Sequence, residues 1–202
     1  MVAAAILVTG VASAQDLRTA ALPADPAEAF ASVAGKTTAP MGWVGFCKEN
    51  PADCDVTALE AREVRLTPAV WRLLVAVNTK VNRSITPETD EDHWGIAERW
   101  NYPDDGRGDC EDFALVKRRA LMEAGLPRQA LLMTVVRDNM GEGHAVLTVV
   151  TNRGELILDN KRSRILSWDK TGFAFIKRQS AESPNTWVSL GEPMPATATA
   201  AH

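Results

Sequence analysis

Cys110 stands between two acids in the stretch GRGDCEDFALVKRRALMEAG, residues 106–125. A thiol attacks only as its thiolate, and neighbouring carboxylates oppose that ionisation. The same stretch also carries the opposite influence. A helical pattern opens near Cys110 and runs to Ala124, with Gly125 placed as its C-terminal cap and Pro127 just beyond. At a helix N-terminus, unpaired backbone N–H groups and the macrodipole favour an anion and lower a thiol pKa. Cys110 is therefore either a small buried apolar residue or a nucleophile whose flanking charges are offset by something nearby.

A nucleophilic cysteine needs a base, and the base needs an orienting acid. The chain has three histidines. His202 lies at the C-terminus and His93 in a loop-like stretch, so His144 alone opens a strand-like run, HAVLTVV. The next run, ELILDN, carries Asp159, and TNRG between the two holds turn residues. A two-residue turn at Thr151-Asn152 sets His144 directly opposite Asp159. A turn at Asn152-Arg153 makes them diagonal neighbours instead. Both registers keep the two on one face, roughly 5 to 8 Å apart at the backbone. Each residue has an ordinary reading beside this one: Cys110 as core, His144 as a satisfied buried histidine, Asp159 as a turn-capping acid.

The elements that would position these residues change period along the chain. TPAVWRLLVAVNTKVNRSI, from Thr67, reads as a helix, with Thr67 as N-cap and Pro68 in the first helical position. Val70, Trp71, Leu74, Val77 and Val81 recur on one of its faces. Residues 84–109 show no steady period and read as loop, with three aromatics, Trp94, Trp100 and Tyr102. Beyond the Cys110 helix, ALLMTVVRD, HAVLTVV, ELILDN, GFAFIKR and TWVSL read as strands. Helices first and an antiparallel sheet after them predict one α+β domain, without repeats.

Gross composition sets the surroundings. At 202 residues with 46% hydrophobic and 24% charged side chains, the chain can bury a core unaided. A net charge of −4 without any basic run excludes a nucleic-acid footprint. MVAAAILVTGVASAQ has a short apolar stretch followed by Ala12-Ser13-Ala14, a small-x-small cleavage pattern, and lacks a basic residue near Met1. It reads as a signal-peptide remnant over residues 1–14, which predicts a periplasmic or otherwise exported protein. Residues 15–40 read as an Ala/Pro-rich arm, 41–190 as the domain, and 191–202 as a disordered tail. In an oxidising compartment Cys47 and Cys54, in FCKENPADC, can bridge a small loop, which leaves Cys110 as the odd thiol.

Taken together in order, GDCEDFALVKRRALMEAGLP, GHAVLTVV and LILDN resemble the bacterial transglutaminase-like cysteine peptidases, over about residues 67–178. FCKENPADC is similar to a branch of that family whose targets are open. The resemblance implies a papain-like, transglutaminase-like core with the nucleophile opening a central helix on an antiparallel sheet. It implies Cys110 as nucleophile, His144 as general base and then acid, and Asp159 as the residue that orients the imidazole. Calcium-binding members, which clip a surface adhesin in the periplasm, hold the ion through acids flanking the nucleophile. That points to Asp109 and Glu111, with Asp112 beside them.

A divalent cation there would answer the question Cys110 raises, because it would cancel the charge opposing the thiolate. The alternative is that these acids simply meet the helix N-terminus. DDGRGDCED lacks the spacing and distal glutamate of an EF-hand loop. For the oxyanion hole, the Cys110 N–H is one expected donor and the Trp94 indole N–H the other.

The sequence thus predicts an exported cysteine endopeptidase acting on a protein through an acyl-thioenzyme. A surface adhesin as substrate and a membrane-bound regulator as partner stay open. Two further readings remain: a transglutaminase-type amide acyltransferase with the same triad, and a non-catalytic calcium-dependent binding module.

Overall fold

The computed structural model describes residues 30–191. The signal-peptide remnant, the first half of the 15–40 arm and nearly all of the 191–202 tail lie outside the described residues. The α+β expectation holds. Seven strands form one antiparallel sheet: β1 (Val33–Thr37), β4 (Leu131–Arg137), β5 (Gly143–Thr151), β6 (Gly154–Leu158), β7 (Leu166–Ser167), β8 (Ala174–Gln179) and β9 (Trp187–Leu190). Their order across the sheet is β1-β9-β8-β4-β5-β6-β7. Before them in the chain come α1 (Met41–Glu49), α2 (Pro51–Cys54), α3 (Pro68–Ser84), α4 (Asp90–Trp94) and α5 (Cys110–Glu123), with two short strands, β2 (Thr86–Pro87) and β3 (Arg107–Gly108), paired in parallel.

Local signals fix the two long helices. Thr67 caps α3, its hydroxyl accepting from Val70 N–H at 3.2 Å, with Pro68 in the first turn. Leu74 and Val81 are buried, and Val70, Trp71 and Val77 pack beside them. α5 ends where Gly125 takes φ +91°, a conformation that glycine adopts without steric cost. α5 lies on β5 and against α3. The core between helix and sheet gathers Leu115 and Leu121 with Met133, Leu147, Val149 and Leu156. On the sheet's other face Val136, Val146 and Ile157 pack with Phe173, Phe175 and Trp168.

Two readings are corrected. Residues 33–37 are not a loose arm: β1 pairs with β9 at the sheet edge, with an irregularity at Gly35. Its residues are almost all exposed, so the strand carries no burial pattern that a sequence reading could detect. The stretch 84–109 is more than loop, since Thr89 caps α4 by accepting from Asp92 N–H at 3.2 Å.

Cys47 and Cys54 are joined as a disulfide, with Cα atoms 5.5 Å apart. It ties the end of α1 to α2, and Trp43, Phe46 and Cys54 bury against the main core. A loop this short constrains the unfolded chain by about 2 kcal/mol. Cys47→Ala with Cys54→Ala is therefore expected to lower thermal stability by roughly 5 °C for a domain of this size, as calorimetry would show. An unchanged midpoint would mean that the bridge adds nothing to net stability.

Candidate active site

The turn joining β5 and β6 is Asn152-Arg153, because Thr151 pairs with Gly154 and Leu147 with Leu158. This is the diagonal register. It places His144 at the start of β5 and Asp159 just beyond β6, and the His144 Nε2 lies 2.9 Å from Asp159 Oδ1. Both side chains are buried. Asp159 Oδ1 also accepts from the Lys161 N–H at 3.0 Å. Burial pushes the Asp159 carboxyl up, but the His144 and Lys161 hydrogen bonds outweigh it, and its pKa lies below the usual carboxylate value. An ionised Asp159 holds the proton of His144 on Nε2. The other ring nitrogen, Nδ1, is buried without a hydrogen-bond partner, and so is available as a base.

Cys110 is the first residue of α5. It shares a cavity of about 230 Å³ with His144, Ala145, Gly143, Val135, Asp109 and Glu111, walled on the remaining side by Glu98 and Trp100. The Ala145 N–H donates to Cys110 Sγ at 3.3 Å, and the thiol donates to Glu111 Oε2 at 3.1 Å. Burial, then the Glu111 and Asp109 carboxylates, push the Cys110 thiol well above its ordinary value. Without a compensating positive charge, then, Cys110 is held as a thiol.

The three acids beside Cys110 divide between two groups. Asp109 and Glu111 cluster with the Cys110 sulfur, while Asp109 and Asp112 cluster with Asp90, with ligand atoms in each set within 4.8 Å of one another. Asp90 is buried in the first turn of α4 and accepts from the Arg99 N–H. Asp112 Oδ1 accepts from Asn101 N–H at 2.8 Å.

Asp109 Oδ1 and Asp112 Oδ2 are buried with no hydrogen-bond partner, and Asp109 makes no capping bond to its own helix. Helix capping therefore does not account for the Asp109 carboxylate. Burial raises Asp90 against the pull of Arg99, burial and neighbouring acids raise Asp109 and Glu111, and Asp112 is pushed up to about 8. Gly108 permits this crowding, because a Cβ there would overlap the Asp112 carboxylate. A set of hard oxygen ligands carrying surplus negative charge fits a calcium-like cation.

The model of the bacterial transglutaminase-like cysteine proteinases matches residues 33–194, most of the chain. The chain belongs to this family. Among solved structures, calcium-bound LapG of Legionella pneumophila is similar at 30% identity and a TM-score of 0.53, covering 63% of this chain and 74% of LapG. A second LapG structure from the same organism gives 31% identity and a TM-score of 0.51, over 61% and 71% of the two chains. An EGTA-treated LapG gives 28% and 0.51, over 64% and 70%. None of the curated proteins compared with the chain matches it.

As a transglutaminase-like cysteine proteinase, the chain places the expected site residues unevenly. Cys110, His144, Asp109 and Glu111 line one cavity, with Asp159 behind His144 and Asp112 behind Asp109. Trp94 does not join them. Gly95 closes α4 in the left-handed region, and the indole turns outward, 42% exposed. It stacks on His93 at 3.9 Å, under the Arg99 guanidinium at 4.6 Å. The tryptophan at the cavity is Trp100, whose Nε1 donates to Glu98 at 2.7 Å. Asp90, Glu98 and Trp100 were missed because their stretch has no period. The one usable signal was Thr89 three residues before Asp92, which marks a helix start amid acids.

Proposed function

We propose that this protein is an exported cysteine endopeptidase, dependent on calcium, that hydrolyses a protein substrate through Cys110, His144 and Asp159. The observation carrying the reading is the His144 ring, bonded through Nε2 to Asp159 with its Nδ1 left unpartnered, on a residue that lines one cavity with Cys110. In the reaction His144 Nδ1 takes the Cys110 proton as the sulfur attacks the scissile carbonyl carbon. Asp159 stabilises the imidazolium that forms. His144 then protonates the leaving amine, which departs and leaves a thioester. A water molecule, deprotonated by the same nitrogen, attacks the thioester and restores the thiol. The Cys110 N–H, first in α5, is one donor for the oxyanion.

Asp90, Asp109 and Asp112 would hold the cation, and Asp109 is shared with the second cluster, that of Glu111 and the sulfur. Bound there, it supplies the positive charge that offsets the carboxylates opposing the Cys110 thiolate. The calcium-bound LapG relative supports the choice of ion. Export is supported by the disulfide and by the apolar N-terminal stretch. No helix among the described residues is long and apolar enough to cross a membrane.

The test compares wild type with Cys110→Ala on the exported proteins of a bacterial culture, with calcium present. New N-termini, read by mass spectrometry, are expected with wild type alone. Equal yields from both would overturn the reading, and products joined to an added primary amine would redirect it to acyl transfer.

A further inference from the structure

Glu98 and Trp100, which wall the Cys110 cavity, also bound a second cavity of about 330 Å³ that the chemistry above does not use. Its floor is α1, through Gly42, Gly45 and the buried Phe46, and Met41 and Ile96 stand at its sides. Met41 is 79% exposed and Ile96 46%, so two large apolar side chains line the hollow while open to water. The charged groups at its margin are matched within the chain. Glu49 pairs with Arg99 at 3.2 Å, and Glu98 accepts from the Trp100 Nε1 at 2.7 Å. The side chains left to meet an incoming group are the apolar Met41 and Ile96.

The floor carries a second observation. Two of the nine residues of α1 are glycine, and each weakens a helix interior relative to alanine. Gly42 has a packing reason, because a Cβ there would overlap the Trp100 indole. Gly45 has no such reason. It is exposed within the helix, and a Cβ there would meet nothing within 4 Å. A side chain at position 45 would stand in open space at the floor of the hollow.

We propose that this hollow is a substrate subsite, which takes an apolar side chain of the protein cleaved at Cys110, and that Gly45 keeps it open. The inference rests on the reading of Cys110 as the nucleophile of a peptidase. Because one pair of residues borders both cavities, a substrate with its scissile carbonyl at Cys110 passes beside Glu98 and Trp100. An extended chain advances about 3.3 Å per residue, so a residue a few places from the scissile bond spans the width of one indole. Burying a leucine-sized side chain in the hollow would favour such substrates by about tenfold or more.

The experiment maps the new N-termini that wild type, Gly45→Ala, Gly45→Leu and Ile96→Asp release from exported proteins with calcium present, against Cys110→Ala as the blank. The wild-type sites are expected to share an apolar residue at one fixed distance from the cleaved bond. Gly45→Leu should lower the yield at those sites by about tenfold or more, and Gly45→Ala should shift the preference at that position to smaller side chains. Ile96→Asp should lose the apolar preference. The rate of Cys110 alkylation by iodoacetamide, which does not need the hollow, should hold in Gly45→Leu, and the melting temperature should hold or rise in Gly45→Ala. Wild-type sites with no apolar position in common would overturn the proposal, as would wild-type yields at the same sites in Gly45→Leu. If Gly45→Leu melts below wild type, the exposed Ile96→Asp decides in its place, and an unchanged preference there overturns the proposal. If wild type and Cys110→Ala give the same N-termini, the peptidase reading itself fails and the subsite falls with it.

Discussion

His144→Ala is expected to lower turnover by about 10³-fold or more, as much as the loss of Cys110 itself. The reason lies in the company the sulfur keeps. Burial and the Glu111 and Asp109 carboxylates all oppose the thiolate. The Ala145 N–H that donates to the sulfur helps, but one hydrogen bond does not offset them. A second base is in contact, since the thiol donates to Glu111 at 3.1 Å. If Glu111 were the working base, Glu111→Gln would cost as much as His144→Ala and the two losses would not add. The account predicts instead that Glu111→Gln alone costs far less than His144→Ala. Single-turnover rates with each variant and the double variant decide between the two bases.

Chelation is expected to have the next largest effect, and its size should grow with pH. Burial raises the Asp112 carboxyl to about 8, the Asn101 N–H partly offsets this, and Asp109 and Asp90 add to the rise. The unfolded value is about 3.9. Between these values the folded, cation-free chain binds more protons than the unfolded one. Its stability is therefore fully present below the unfolded value and is lost as pH rises through the folded one.

A cation displaces those protons and removes the penalty. The melting temperatures of calcium-loaded and chelated protein should thus lie close at about pH 5 and separate by roughly 5 °C or more at about pH 8. Asp112→Asn is expected to shrink that gap, because it removes both the repulsion and a ligand. A gap independent of pH would mean that the ion binds elsewhere.

The legible parts of this molecule were those where one local rule decided the outcome. The N-cap at Thr67 and the glycine at position 125 bound the two long helices where expected. The two-residue turn limited His144 and Asp159 to two registers, both on one face, and the diagonal one is realised. What stayed hidden depends on contacts distant in sequence. Asp90 joins Asp109 and Asp112 only because α4 folds back against the start of α5, and no period within 84–109 announces that. Trp94 and Trp100 are equivalent in sequence terms; the left-handed turn at Gly95 sends the first outward and leaves the second in the core. Lys117 reads as an ordinary helix lysine until α3 and the sheet close over it. The edge strand β1, nearly all exposed, looks like linker until β9 is beside it.

On the proposed reading, Cys110 is an activated nucleophile whose ionisation depends on His144 and on the charge held by the neighbouring acids. That reading is tested most directly by the rate of Cys110 alkylation against pH, with calcium and then with a chelator, in wild type and His144→Ala. The account predicts reactivity well below the free-cysteine value of about 8.5 in the calcium-loaded wild type, lost on chelation and lost in His144→Ala. A profile that follows an ordinary thiol, unmoved by chelator or by the loss of His144, would contradict it.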